Sequence, residues 1–209
     1  MTLVLMGSKA ETKALILASR SATRVNILNN AGLKFSIEHP NVDEAPVRRA
    51  MIADGGDVEA GAVLLAEMKA LEVSRAQPDA FTIGADQILE CEGEWFEKPQ
   101  TVSQGRAQLL NLTGKRHRLI SSVVVAAGGV KIWEHTDQAQ MTMRAIGDVF
   151  LEEYIGIMGD RMFSSVGGYQ LEGVGSQLFS EVSGNHYTIL GLPLLPLLGF
   201  LRSHDILGN

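Results

Sequence analysis

Apolar and polar positions alternate along the chain in patterns that indicate both strands and helices. Leu15–Ala18 is a short apolar run followed at once by the polar Ser19-Arg20-Ser21, which is typical of a buried strand leading into a helix start. Apolar residues then recur at helical spacing as far as Ala31, and Gly32 is a candidate for the helix C-terminus. The region after residue 14 is therefore predicted to open with a strand, a polar turn and a helix.

The rest of the pattern predicts a mixed α/β protein. A second helix is expected from Val58, with Lys69 at the end of its apolar stripe, and a second buried strand over 81–85 places Asp86 and Gln87 at its C-terminal end. Glu92-Gly93 indicates a hairpin turn. Further along, the pattern predicts a helix ending at Gly114, three strands over 120–127, 131–136 and 139–143, a helix near 148–155, a glycine-dense segment 167–175 and a helix near 194–202.

Composition narrows the class of protein. The 209 residues are 45% hydrophobic, which is enough for a sizeable core, and we treat 15–209 as one domain after an N-terminal extension, 1–14. A net charge of −6 gives no general attraction to nucleic acid or to an anionic membrane. The most apolar segment, 188–201, is shorter than the roughly 20 residues of a membrane helix. With Cys91 as the single cysteine and no secretory pattern at the start, we expect a cytoplasmic protein.

Two cationic positions are candidates for anion binding, although each also has a plainer structural explanation. The segment from Ser19 to Arg24 places hydroxyls, backbone N–H groups and a guanidinium at a helix start, which would suit an anion but equally forms an ordinary cap. Because Lys69 lies on an apolar helix face, its ammonium must contact an anion, lie in a cleft or extend to the solvent. If Lys69 serves only bound phosphates, Lys69→Ala is expected to stabilise the ligand-free protein.

The carboxylates and one further lysine leave a similar choice open. Asp86 needs a cation, a metal or a water unless it caps the hairpin. Glu44 could hold a divalent ion or be a solvated residue of an acidic loop. Lys98 could bind phosphate or be an exposed hairpin lysine. Cys91 is expected to be a packing residue, and neither a zinc-binding spacing nor a G-x-S-x-G motif is present.

Taken in order, these segments resemble the Maf family. Leu15–Ala31 (LILASRSATRVNILNNA) is similar to the family's opening strand and S-x-x-R turn. The later matches follow in order along the chain: Val42-Asp43-Glu44, Lys69-Ala70, Ile83-Gly84-Ala85-Asp86-Gln87, Lys98-Pro99 and Gly191-Leu192-Pro193. The resemblance covers about 15–201. It departs at Ala22-Thr23, where the family usually has P-R or P-W.

The resemblance implies an elongated, two-lobed, mixed-sheet α/β fold with a central cleft, similar to inosine triphosphate pyrophosphatase. It implies cleavage of a nucleoside triphosphate between its α and β phosphates, giving a monophosphate and pyrophosphate. Asp86 would be the general base and, with Glu44, would hold a divalent metal cation, Mg²⁺ or Mn²⁺. Phosphates would be bound by Ser19, Arg24, Lys69 and Lys98. A homodimer is a further implication.

The choice of base would depend on Thr23, Gln87 and Glu172, which line up with positions where the Maf subfamilies differ. The Glu172 carboxylate only accepts hydrogen bonds and suits the adjacent N–H donors of guanine. Gln87 and Glu172 resemble the subfamily acting on 7-methyl-GTP, while Thr23 offers little stacking surface for a methylated ring. Alternatives are a dTTP/UTP pyrophosphatase, an enzyme for inosine or xanthosine triphosphate, and a non-catalytic nucleotide-binding regulator of septum formation. Retention of the acidic and lysine positions argues against the regulator.

Overall fold

The computed structural model describes residues 13–208, so all but two residues of the predicted N-terminal extension lie outside the described part. Its strands are β1 (Leu15–Ala18), β2 (Ser36–Glu38), β3 (Phe81–Cys91), β4 (Glu94–Phe96), β5 (Arg116–Ala127), β6 (Val130–Met143) and β7 (Phe179–Ser183). Its helices are α1 (Ala22–Asn30), α2 (Glu44–Ala53), α3 (Val58–Ala76), α4 (Val102–Leu112), α5 (Asp148–Met158), α6 (His186–Ile189) and α7 (Leu194–Ser203).

The strands form one mixed sheet in the order β2-β1-β3-β5-β6-β7, and β4 pairs with β3. Strand β1 is parallel to both β2 and β3, whereas β3–β4 and β6–β7 are antiparallel. Parallel pairs need a crossover connection, and α1 and the α2–α3 segment supply it here. The predicted mixed α/β class is confirmed.

Strand β3 differs from its prediction in length. It was expected to end at Ala85, yet it continues to Cys91 because β4 pairs with its second half, with Cys91 opposite Glu94. Its parallel neighbour β1 stops at Ala18, opposite Gly84. Asp86 therefore lies inside β3 rather than at its end, two residues beyond the point where β1 ceases to pair with it.

The predicted hairpin turn is confirmed, but one predicted strand boundary is wrong. Glu92 and Gly93 both have positive φ, of 54° and 87°, as expected for a two-residue hairpin turn. Gly128 and Gly129 also have positive φ and connect β5 to β6. The strands expected over 131–136 and 139–143 are one continuous strand, β6, since nothing between them breaks the extended backbone.

Most predicted helices are present, and one was missed. The helices expected after Ser21, from Val58, before Gly114, near 148–155 and near 194–202 correspond to α1, α3, α4, α5 and α7. Helix α2 was not predicted, although Asp43 accepts a hydrogen bond from Ala45 N as its N-cap. The glycine-dense segment forms short 3₁₀ turns, including Val174–Leu178.

The described chain divides into two compact units, in agreement with the two predicted lobes. The first comprises 13–86, 121–137 and 190–208, and the second comprises Gln87–Ile120 and Gln138–Ile189. In the first unit, Ala66 and Ala70 of α3 pack with residues of β5. In the second, Leu109, Tyr154 and many other apolar side chains form a larger core. Among the described helices, none is long and apolar enough to cross a membrane.

Candidate active site

A buried lysine contacts two carboxylates in the first unit. Lys69 Nζ lies 2.6 Å from Asp86 Oδ1 and 2.9 Å from Glu44 Oε1. The side chains of Lys69 and Asp86 are only 9% and 7% exposed, whereas that of Glu44 is 35% exposed. Three positions from three separate motif segments thus meet at one point. We call these three residues the lysine–carboxylate cluster.

A glycine allows strand β3 to lie close enough to helix α3 for this contact. A Cβ atom at Gly84 would stand 2.2 Å from the backbone oxygen of Ala66 and 2.7 Å from the backbone nitrogen of Ala70. A larger residue would therefore collide with the helix backbone itself. Asp86 is two residues further along the strand, on the same face as Gly84, and Lys69 lies between the two alanines that the glycine touches.

The structure excludes the plainer structural explanation that was left open for each of these three residues. Lys69 does not extend along the helix surface to solvent, because its buried ammonium is paired with both carboxylates. Asp86 does not cap the hairpin, since it is paired within β3. Glu44 is not in a loop: it is the first residue of α2 and follows the N-cap Asp43, so the acidic-loop interpretation was wrong.

Arg48 is a fourth charged residue of this site, and sequence reasoning missed it. Its Nη2 lies 3.5 Å from Asp86 Oδ2 and 3.8 Å from Glu44 Oε2, and the residue is 8% exposed. The spacing from Glu44 is i, i+4, which places both side chains on one face of a helix. That signal depended on predicting α2, for which the cap at Asp43 and Pro46 in the first turn were available.

Arg24 has a structural role that its motif did not reveal. Its Nε donates to Gly191 O and its Nη1 donates to Ala85 O, each at 2.8 Å. Burial lowers the pKa of Arg24, and the negative charges of Asp86 and Glu44 oppose that shift. Two of the guanidinium nitrogens are thus engaged with backbone carbonyls, one of them in the residue directly before Asp86. Phosphate binding by Arg24 stays a prediction and would use the rest of the guanidinium.

Of the two serines before α1, Ser21 is the N-cap of the helix and Ser19 stabilises the turn that precedes it. Ser19 Oγ accepts from Ser21 N at 3.1 Å, and Ser21 Oγ accepts from Arg24 N at 3.4 Å. Ser19 is buried and Thr23 is partly buried. These are ordinary local hydrogen bonds of a turn and a helix start, and the roles of Ser19 toward phosphate and of Thr23 toward the base stay predictions.

The three other predicted site residues belong to the second unit. Gln87 Nε2 donates to the backbone oxygens of Thr188 and Ile189, both at 3.0 Å, so its amide hydrogens hold the α6 segment. Lys98 follows β4 and is exposed, and Glu172 is exposed in a turn of the glycine-dense segment. Their predicted roles toward phosphate and base stay predictions.

The second unit also contains buried ionisable groups that have no predicted catalytic role. His117 Nε2 lies 2.8 Å from Tyr169 Oη, and burial lowers the pKa of His117 to about 4. Burial likewise raises the pKa of the Cys91 thiol. A buried thiol of raised pKa is a poor nucleophile, which agrees with the packing role expected for Cys91.

Nearly the whole described chain matches a known protein family. The family described as Maf-like protein matches residues 14–204 of the chain. The chain belongs to the Maf family. A nucleoside triphosphate pyrophosphatase of Paramagnetospirillum magneticum is 47% identical over 189 residues, covering 90% of this chain and 97% of the relative. A 7-methyl-GTP pyrophosphatase of Brucella abortus is 46% identical over 191 residues, covering 91% of this chain and 96% of the relative.

Among solved structures, the Ham1 protein of Staphylococcus aureus matches with a TM-score of 0.38 and 16% identity. The match covers 63% of this chain and 72% of that one. The family membership therefore depends on the match over residues 14–204 and on the sequence relatives.

Proposed function

We propose that this chain hydrolyses the α–β phosphoanhydride of a nucleoside triphosphate, releasing a nucleoside monophosphate and pyrophosphate. The observation that carries the proposal is the lysine–carboxylate cluster, in which Lys69 and Asp86 are buried, in a chain of the Maf family. Burying charges costs stability even when they are paired, and clusters of buried ionisable groups are typical of functional sites. Relatives named as nucleoside triphosphate pyrophosphatases cover nearly the whole chain, which supports the same reaction here.

The charges of the first unit suit a polyphosphate. Arg24, Arg48 and Lys69 place three cationic side chains near the carboxylates of Glu44 and Asp86. The chain as a whole has a net charge of −6, so this concentration of cations is local. Cleavage at the α phosphorus requires cations around charged oxygens and a held leaving group, and fixed charges in a partly dry site provide both.

Asp86 is proposed to accept the proton of the attacking water. Its Oδ1 is occupied by Lys69 at 2.6 Å, while its Oδ2 is buried and accepts no hydrogen bond from any of the described residues. A buried acceptor without a partner indicates a place for a water or an ion. An aspartate can act as the base at neutral pH when the water is acidified.

The same residues are compatible with a divalent cation such as Mg²⁺ or Mn²⁺. Within residues 13–208, no group of three or more His, Cys, Asp or Glu side chains could hold a metal by itself. Mg²⁺ commonly uses one or two carboxylates together with the phosphates of a substrate, and Glu44 and Asp86 are such a pair. They would hold the ion, which would acidify water and neutralise phosphate charge.

The proposed substrate class is a guanine nucleotide that includes 7-methyl-GTP. Two relatives of Brucella, 46% and 45% identical, are named 7-methyl-GTP pyrophosphatases, and Gln87 and Glu172 are the residues on which this chain's preference is proposed to depend. Because the Gln87 amide nitrogen is engaged with backbone oxygens, Glu172 is the better candidate for reading base N–H donors. Thr23 is expected to give modest discrimination for the methyl group.

The decisive experiment is a nucleotide screen for pyrophosphate release with Mg²⁺ or Mn²⁺. Wild type should convert at least one triphosphate to monophosphate and pyrophosphate, and Asp86→Asn should lower turnover by about 10² or more while the fold and nucleotide binding persist. Orthophosphate as the direct product would exclude the proposed reaction. Nucleotide binding without turnover would favour the regulatory alternative instead.

A second experiment tests base choice. Wild type and Glu172→Gln are compared across 7-methyl-GTP, GTP, UTP and dTTP, and the substitution should reduce the preference for guanine because an amide also donates hydrogen bonds. An unchanged ranking would show that Glu172 does not read the base. A homodimer and a cytoplasmic location are further proposals from the family resemblance, to be checked by light scattering and by cell fractionation.

A further inference from the structure

The two oxygens of Asp86 are held in different ways. Oδ1 accepts a short hydrogen bond from Lys69 Nζ at 2.6 Å. Oδ2 lies 3.5 Å from Arg48 Nη2, and no hydrogen bond from the described residues reaches it. The two cations therefore act on opposite oxygens of the same carboxylate, one through a direct bond and the other through charge attraction alone.

The position of Arg48 on helix α2 connects this carboxylate with the other one. The same Nη2 lies 3.8 Å from Glu44 Oε2, one helical turn before it. Charge attraction over such distances is strong in a buried setting because little water screens it. It orients a carboxylate without filling its lone pairs, unlike a hydrogen bond. Oδ2 can therefore keep a fixed direction and still accept a proton or a water.

We propose that Arg48 is a positioning residue for Asp86: it fixes the direction of Oδ2, while Lys69 holds Oδ1. This inference rests on the proposed function, because it assigns Oδ2 as the atom that receives the proton from water. Arg48 then acts on the rate through Asp86 and not through a contact of its own with the nucleotide. Its removal should lower kcat more than it changes KM.

The test is a double-mutant cycle that uses Arg48→Gln and Asp86→Asn. Arg48→Gln keeps much of the side-chain length but lacks the charge, and it should lower kcat about tenfold or more with KM changed by less than about threefold. In the Asp86→Asn background the same substitution should change kcat by less than about twofold, since the group it positions is gone. Arg49→Gln, at the exposed neighbouring position, is the matched control and should leave kcat unchanged.

Arg48→Lys is a second variant, which keeps the positive charge but replaces the guanidinium by a single ammonium group. It should recover part of the kcat lost in Arg48→Gln, and its remaining deficit should also vanish in the Asp86→Asn background. If Arg48→Gln does not fold, as judged by a thermal melt, the same cycle is measured with Arg48→Lys alone. Equal losses in both backgrounds, or a loss confined to KM, would overturn the positioning role.

Pyrophosphate release by the wild type tests the proposed function, whereas additivity of the two substitutions tests the role of Arg48. A wild-type protein that releases no pyrophosphate from any triphosphate would overturn both. A wild-type protein that does so, together with additive effects of Arg48→Gln and Asp86→Asn, would overturn the positioning role alone and leave the reaction in place.

Discussion

Replacing Lys69 by methionine is expected to destabilise the ligand-free protein. The substitution keeps an unbranched apolar side chain in the helix stripe but leaves Asp86, which is 5% exposed, without its hydrogen-bonded cation. From sequence alone the opposite sign was expected, since an unpaired ammonium would have been removed. The buried pair reverses that expectation, because the loss of one partner leaves an uncompensated charge in the interior.

The size of the effect follows from the contacts. Breaking a buried ion pair by removing one partner costs about 3–5 kcal/mol, and the attraction of Arg48 for Asp86 Oδ2 places Lys69→Met near the lower end. The lost contact with Glu44 adds little, because that carboxylate is 35% exposed. At about 2–4 °C per kcal/mol for a chain of this size, Tm should fall by roughly 6–12 °C.

Differential scanning calorimetry without nucleotide measures this change, and two further variants sharpen it. Lys131→Met removes a lysine that pairs with Glu67 and Glu134 near the surface, so it should cost no more than about 1 kcal/mol. Adding Asp86→Asn to Lys69→Met removes the buried charge and should restore about half of the lost stability or more. An unchanged or raised Tm for Lys69→Met alone would refute the reasoning.

Three further expectations concern packing and pH. Burial lowers the pKa of His117 from 6.5 to about 4. Its contribution to the free energy of unfolding is therefore fully present above pH 6.5 and is lost as the pH falls toward 4, because the unfolded chain takes up the proton first. At about 1.4 kcal/mol per pH unit, His117→Gln should abolish roughly 2–3 kcal/mol of the difference in urea-unfolding free energy between pH 7 and 4.5, and an unchanged difference would contradict this. Gly84→Ala should cost about 3 kcal/mol or prevent folding, because its Cβ would meet the Ala66 backbone. Gly156 lies in α5, and a Cβ added there would meet no atom within 4 Å. Gly156→Ala should therefore stabilise the protein by up to about 1 kcal/mol and raise Tm. Equal effects of the two alanines would exclude the close approach at Gly84.

The local pattern of apolar and polar residues was enough to predict most helices and strands. Contacts between segments that are distant in sequence could not be predicted from that pattern. The stripe of α3 and the turn at Glu92-Gly93 depend on neighbours in sequence, and both were predicted correctly. The length of β3 was misjudged because it depends on pairing with β4, which lies further along the chain. Helix α2 was missed although its N-cap Asp43 and Pro46 in its first turn are local signals of a helix start.

The site shows the same division. Motif positions identified Glu44, Lys69 and Asp86 without indicating that they would be in contact. Arg48 was missed because its meaning depends on the helix that was not predicted. The Arg24 contacts with Ala85 and Gly191 could not be foreseen, since backbone carbonyls carry no sequence signature.

The bond from Arg24 to the carbonyl of Gly191 has a consequence for the newly made chain. The two residues are 167 positions apart, so during synthesis Arg24 emerges long before its acceptor exists. At about 5–20 residues per second, that interval lasts roughly ten to thirty seconds. Until then a buried guanidinium lacks one of its carbonyl acceptors, and the nascent chain cannot complete the surroundings of Asp86. A ribosome-bound chain therefore cannot complete the candidate site before the segment around residue 191 has emerged.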